Sequence, residues 1–284
     1  MPVIVLHLAV SALYGGLALH FWRTRWRAAA PPTGGMAGWE RAALLAPLAL
    51  HAWLLHLDLI APDQPRFGFG QALSVMFLMA VATYWVESLF HNLDGMQPLV
   101  LPLAALAVPL PAIFPGIAIT HPASIQLKLH LILGMAAYSV FTLAMLHALL
   151  MALAERALHK ASPLPAGHGA DSGPLAGPLS GLPPLLTLER LLFRLVGLAF
   201  VLLTLTLATG LVFSESLFGR ALRFDHKTLF ALLSWLTFAV LLVGRYAYGW
   251  RGRMALRFTL LGFVMLLLAY VGSRFVLEVV LLRV

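Results

Sequence analysis

Apolar runs of about 20 residues recur along this chain, each long enough to cross a hydrocarbon layer about 30 Å thick at about 1.5 Å per residue. A backbone group in lipid has no water to bond, so such runs must be helices that satisfy their own N–H and C=O groups. Composition agrees. Of 284 residues, 61% are hydrophobic and 11% charged, and mean hydropathy is +0.91, far from the roughly 25% charged of a soluble domain. The sequence therefore predicts an all-α, polytopic transmembrane helix bundle of about eight spanning helices. The candidate spans are 3–22, 42–59, 70–90, 98–118, 126–153, 188–213, 227–246 and 255–282.

Charge orients these spans. Arg23, Arg25 and Arg27 follow the first apolar run and no basic residue precedes it, the reverse of a cleaved signal peptide, so a retained first helix with an outward N-terminus is expected. That arrangement puts twelve of the nineteen Lys and Arg residues inside, among them Arg41, Arg156, Arg190, Arg194, Arg245 and Arg251. It leaves seven outside: Arg66, Lys128, Arg220, Arg223, Lys227, Arg274 and Arg283. The excess matches the positive-inside rule and puts both termini outside. The net charge of +8 is then explained by loops lying beside anionic lipid, with no nucleic-acid partner. Residues 161–186 break the apolar pattern with six prolines among glycines and small residues. They read as a disordered cytoplasmic linker between a five-helix part, 1–160, and a three-helix part, 187–284.

The chain has no cysteine, which excludes thiol chemistry, iron–sulfur ligation and covalent haem attachment. Its eleven histidines are candidate functional groups wherever they fall within a span. His7, His56, His121, His130 and His226 fall toward the outer side, with His51 near mid-depth. His20, His91, His147, His159 and His168 fall toward the inside. For His7, His20 and His91, at span ends, the ordinary reading is anchoring at the headgroup level. His51 and His56 are five apart and project about 140° from one another, so one site cannot receive both squarely. For His51, a hydrogen bond to a neighbouring helix weighs as much as a ligand role. Arg274 and Glu278, i and i+4 on the last span, read first as a neutralising pair. The sequence contains no Ser-His-Asp order, paired carboxylates, metalloprotease motif or phosphate-binding glycine loop. An enzyme with its own turnover is not expected.

The segment Asp225-His226-Lys227-Thr228-Leu229-Phe230-Ala231-Leu232-Leu233-Ser234-Trp235, followed by Gly249-Trp250-Arg251-Gly252-Arg253 and Ala269-Tyr270-Val271-Gly272-Ser273, resembles the C-terminal part of the cytochrome c assembly family. The span opening Lys128-Leu129-His130, with Tyr138 and Ser139 after it, resembles the family helix that carries an outward haem-ligand histidine. The resemblance covers roughly residues 120–282; ahead of it only hydrophobicity matches. The family's tryptophan-rich run is absent: Phe224 stands for Trp and His226 for Pro, while Asp225 and Lys227 remain. Val243 replaces a transmembrane histidine, and Leu277 to Leu282 lack a second outer one. These departures, with the length and span number, place the chain nearest the YpjD- and HemX-like branch.

The resemblance implies a haem-binding or haem-handling protein of the bacterial inner membrane, of cytochrome c biogenesis type. The cofactor would be non-covalent b-type haem, held stably or only in transit. His130 is the one family ligand that carries over. His226 is the expected second ligand to iron, because it opens the seventh span at similar depth. His51, His121, Asp225, Lys227 and Arg274 complete the candidate cofactor-binding set, the cations serving the propionates. Partners would be the lipid bilayer and other membrane proteins of cytochrome c biogenesis or haem synthesis. A haem-free regulatory or scaffolding role of the HemX-like kind is the alternative. A small-solute transporter ranks third, since the sequence shows neither repeats nor broken helices.

One prediction needs only the sequence. Protease added to inverted vesicles should cut within residues 161–186 and leave two fragments in the membrane; cutting from the opposite face would reverse the assigned topology.

Overall fold

The computed structural model describes residues 3–28, 35–59, 66–91, 93, 95–118, 125–160, 185–218 and 225–281. The chain forms helices α1 (Val3–Phe21), α2 (Gly38–Leu59), α3 (Phe69–Phe90), α4 (Gln97–Ala107), α5 (Leu110–Ile113), α6 (Ile125–Lys160), α7 (Leu185–Phe218), α8 (His226–Tyr248) and α9 (Arg253–Leu267). A π-helical turn, Trp22–Trp26, prolongs α1. Another, Leu268–Gly272, carries α9 into a short α10 (Ser273–Phe275) and a last π turn, Val276–Val280. Two-residue strands β1 (Arg66–Phe67) and β2 (Ile117–Ala118) pair antiparallel, Arg66 with Ala118 and Phe67 with Ile117. The all-α bundle expected from the apolar runs is thus the architecture observed.

Seven segments are long and apolar enough to cross a bilayer, whereas Gln97–Ile113 is shorter. At 1.5 Å per residue this fourth segment reaches only about 25 Å. Its direction is nevertheless fixed by the strand pair, because β1 precedes α3 and β2 follows α5. The segment therefore returns to the end of the bundle from which α3 started, making the fourth of eight traverses. Pro102 lies inside α4, and the break between α4 and α5 falls at Val108–Pro109, where proline cannot donate an N–H to the preceding turn. The alternating traverse gathers Arg23, Arg41, Arg190, Arg245 and Arg251 at one end. Arg66, Lys227 and Arg274 lie at the other.

Helix α1 packs on α4 and α2, α3 on α6 and α4, and α8 on α9; the most extensive pairing is α6 with α7. The helices on either side of residues 161–184 therefore lie against each other; those residues, which hold nearly all of the expected linker, lie outside the described ones, and Leu185 and Leu186 already belong to α7. Tyr14, Phe21, Tyr84, Phe141 and Phe238 are the largest side chains of the buried core. Phe141 of α6 stacks on Phe238 of α8 with ring centroids 3.9 Å apart and planes 20° apart.

Polar side chains tie these apolar helices together where backbone or charge would otherwise go unmet. The Tyr138 hydroxyl donates to the Leu266 carbonyl and the Ser234 hydroxyl to that of Gly262. Arg25 donates to Glu40 at 2.8 Å and both side chains are 4% exposed, while His20 Nε2 lies 2.9 Å from the other Glu40 oxygen. His7, expected at the headgroup level, is instead buried, its Nε2 3.4 Å from Asp58. The largest sequence separation belongs to Glu278. The N-cap of α3 is Gly68, which offers no side-chain cap, and the Phe69 N–H donates instead to Glu278 Oε2 at 3.0 Å. A Cβ on Gly68 would lie 2.5 Å from that carboxylate and 2.7 Å from Gly116. Gly116, at φ 70°, is itself in the left-handed region where glycine carries no Cβ penalty. Arg274 Nη1 stands 3.6 Å from Glu278 Oε1, as the i, i+4 spacing led one to expect.

Glu278 thus serves a helix end and a cation together. Glu278→Ala should lower stability by about 3 kcal/mol, because it strands a charge and a backbone donor. Glu278→Gln, which keeps an acceptor, should lose less. Arg274→Ala should reduce folded yield more than Arg274→Ala combined with Glu278→Gln. Thermal unfolding in detergent is the measurement, and equal midpoints for parent, Ala and Gln variants would show that the carboxylate joins nothing.

Candidate functional site

His130 lies in the second turn of α6, half-buried against α7. Its Nδ1 is 3.1 Å from the Thr209 hydroxyl oxygen. That hydroxyl directs its own proton to the carbonyls of Leu205, at 2.8 Å, and Thr206, at 3.0 Å. A hydroxyl has one proton, so a Thr209 oxygen that serves those carbonyls can accept from His130 Nδ1–H, and the Thr206 backbone is a second hydrogen-bonding neighbour of the ring. In that tautomer Nε2 carries the lone pair. This is the arrangement of a metal-ligating imidazole, in which a bond at one nitrogen fixes tautomer and orientation for the other. Gly210 makes the room: a Cβ there would sit 3.2 Å from His130 Cε1.

The Phe141–Phe238 stack sets the register of α6 against α8, which run the same way. Eleven residues are close to three full helical turns, so His130 lies on the face of α6 that carries Phe141, about 16 Å nearer the helix start. On α8 the same step from Phe238 leads to Lys227. Lys227 is half-buried, and His226, about 100° round the helix, is exposed. Asp225 is the N-cap of α8 and accepts from the Thr228 N–H at 3.0 Å and the Thr228 hydroxyl at 3.1 Å. Partial burial works against its ionisation, but these two bonds, with Lys227 and His226 beside it, hold the carboxyl below its usual range. Arg274 lies within electrostatic reach of Lys227 and has its guanidinium carbon 5.7 Å from the centre of the Tyr270 ring.

The structure therefore gathers Asp225, Lys227 and Arg274 at one end of the bundle, and by register His130 and His226 lie at similar height there. His51 is elsewhere. It is buried on α2, with Nε2 2.8 Å from the Ser74 hydroxyl of α3 and its ring edge-on to Tyr14 of α1. His56 faces away and stacks on Trp53. His121, with Arg223 and Phe224, lies outside the described residues. Sequence reasoning did not single out Thr209 or Gly210, which orient and accommodate His130. The i, i+3 step from Thr206 and a glycine late in an apolar helix were their only signals.

A helical bundle with seven apolar helices of spanning length, and with His130, Lys227 and Arg274 toward one end, defines the class: a polytopic membrane protein. The family model described as cytochrome C assembly protein matches residues 42–281, and the chain belongs to that family. The match reaches back to α2, well ahead of the region in which sequence motifs were recognisable. Inner membrane protein YpjD of Escherichia coli K12 is 30% identical over 251 residues, 86% of this chain and 89% of that protein. An uncharacterized 28.8 kDa protein of Azospirillum brasilense is 34% identical over 55% of this chain and 54% of its own. Cytochrome c biogenesis protein CcsA of a Synechococcus strain is 36% identical over 40% of this chain and 34% of its own length. No solved structure matches. With seven apolar helices of spanning length and these relatives, the chain is a multi-pass protein of the bacterial inner membrane.

Asp225 gives a direct test of the local structure. Asp225→Ala should cost about 1 kcal/mol through loss of the cap and speed amide exchange in the first turn of α8. Because the folded carboxyl is held low, its contribution is present above the unfolded value and is lost as pH falls through the folded one. The protection of the Leu229 amide, its exchange rate relative to the intrinsic rate at the same pH, should therefore fall on acidification in the parent and stay constant with pH in the Ala variant.

Proposed function

We propose that this protein binds haem at the end of the bundle where α6 and α8 begin, and handles it in cytochrome c biogenesis without turnover of its own. The observation that carries the reading is His130, whose Nδ1 lies 3.1 Å from the Thr209 hydroxyl, an orientation that would leave Nε2 for the iron. Haem supplies an iron that accepts imidazole and two propionates that require cations. His130 would hold the iron, with His226 as second ligand, and Lys227 and Arg274 would meet the propionates. Asp225 fixes the start of α8 and so the position of both its neighbours. His121 remains a candidate contact of the same cofactor, whereas His51, buried between α1, α2 and α3, would take part only if the site lay on α2. The relatives named CcsA support the assignment to cytochrome c biogenesis. The Arg-rich end would face the cytoplasm, following the positive-inside bias, and the His130 end the opposite side.

A second reading has its own support. Arg274 is engaged by Glu278, which also caps α3, so this cation serves the fold before any ligand. A haem-free scaffolding or regulatory protein would keep that arrangement. The absorption spectrum of the purified protein, oxidised and reduced, separates the two. A Soret band at near-stoichiometric haem is expected. His130→Ala should lose it, with partial recovery in added imidazole, while His20→Ala should not. Haem retained in the His130 variant but lost on His51→Ala would move the site to α2. No haem in the parent, after expression with ample supply, favours the scaffolding reading.

A further inference from the structure

At the Arg-rich end of the bundle, helices α7 and α8 leave an open groove of about 260 Å³ lined by Arg190, Phe193, Arg194, Arg245 and Tyr246. Arg245 is its fixed wall. Its guanidinium forms an ion pair with Glu189 and lies over the Phe193 ring, 4.6 Å from the centroid. Arg251 shares the same carboxylate at 3.5 Å. Glu189 is thereby used, and it leaves the groove with an excess of positive charge. Arg190 and Arg194, one turn apart on one face of α7, are exposed and have no ion-pair partner among the described residues.

The surface running from these arginines toward the middle of the membrane is apolar. On α7 the face of Arg190 and Arg194 continues through Gly197, where a Cβ would meet nothing within 4 Å, to Val201, 55% exposed. On α8 the step from Tyr246 leads to Val243, 60% exposed. Farther along, Phe200 stacked on Trp235 closes the two helices together. The face is thus cationic at the headgroup level and apolar and open beside it. Guanidinium groups present forked donors suited to phosphate oxygens, and basic pockets between spanning helices suit lipid headgroups.

We propose that this groove is a binding site for an anionic membrane phospholipid. Its phosphate lies between Arg190, Arg194 and Arg245, and one acyl chain follows Gly197, Val201 and Val243. Two uncompensated arginines favour a headgroup with two phosphates, as in cardiolipin. The site is independent of haem, since it lies at the opposite end of the bundle from His130.

The test uses the full-length protein in phosphatidylcholine nanodiscs with and without cardiolipin, read by thermal unfolding and by native mass spectrometry of retained lipid. The parent should retain cardiolipin and gain stability from it, and neither effect should follow from millimolar inorganic phosphate. Arg190→Gln with Arg194→Gln should unfold as the parent does in phosphatidylcholine alone and bind cardiolipin roughly tenfold to thirtyfold more weakly, at about 1 kcal/mol for each arginine near the headgroups. Arg23→Gln with Arg27→Gln, exposed at the same end, should bind as the parent does. Unchanged retention in the Arg190/Arg194 variant would overturn the site. Equal loss in both double variants would reduce it to diffuse attraction, and equal stabilisation by inorganic phosphate would show an anion site without lipid specificity.

Discussion

Where a helix begins against other helices in a membrane protein, its first backbone N–H groups must find an acceptor the protein supplies, because water is scarce and an unmet donor is costly. Helix α3 meets this constraint with a carboxylate from the far end of the chain. Phe69 donates to Glu278, and Gly68 and Gly116 are glycines because the carboxylate and the two backbones come so close that a Cβ has no place. This single contact fastens the last traverse to the third beside the β1–β2 strand pair. It also fixes what surrounds Arg274, and so the electrostatics of the end at which His130, Lys227 and Asp225 lie.

The two ends of the bundle solve the problem of charge differently. At the His130 end, cations are few and partly committed, Arg274 to Glu278 and Tyr270, which suits a site that admits an anionic group without a large field. At the other end, acidic residues are fewer than the arginines around them. Glu40 is shared by Arg25 and His20, and Glu189 by Arg245 and Arg251. Arg23, Arg27, Arg190 and Arg194 are exposed, where phosphate headgroups are the natural counterions. Both ends use a carboxylate to fix one cation in place. They differ in how much charge is left over.

The candidate ligand illustrates how a membrane helix orients an imidazole. Thr209 directs its hydroxyl proton to its own backbone, as threonines in apolar helices commonly do, and its oxygen faces His130 Nδ1, which orients the ring. His51 is held by Ser74 in a comparable way but within the closed interface of α1, α2 and α3. The two histidines are alike in chemistry, and access to the bundle end separates them. The same distinction parts His226 from Lys227, neighbours in sequence whose exposure differs because one step along a helix is 100° of rotation.

Fold class, seven of the eight expected spans and the segregation of arginine to one end were legible in the sequence, because each follows from length, hydropathy and charge summed over 20-residue stretches, quantities that local sequence contains in full. The likeness of His130 and the Asp225–Lys227 segment to a haem-handling family was legible too, and the family match confirmed the membership and carried it back to residue 42. Other features depend on which helix faces which. The burial of His7 on Asp58, the capping of α3 by Glu278, the Thr209 bond that orients His130 and the groove between α7 and α8 join residues from about 50 to over 200 positions apart. No periodicity records such pairs, since an apolar helix offers nearly equivalent faces to lipid and to protein. Packing in three dimensions chose among those faces, and with them which polar side chains meet.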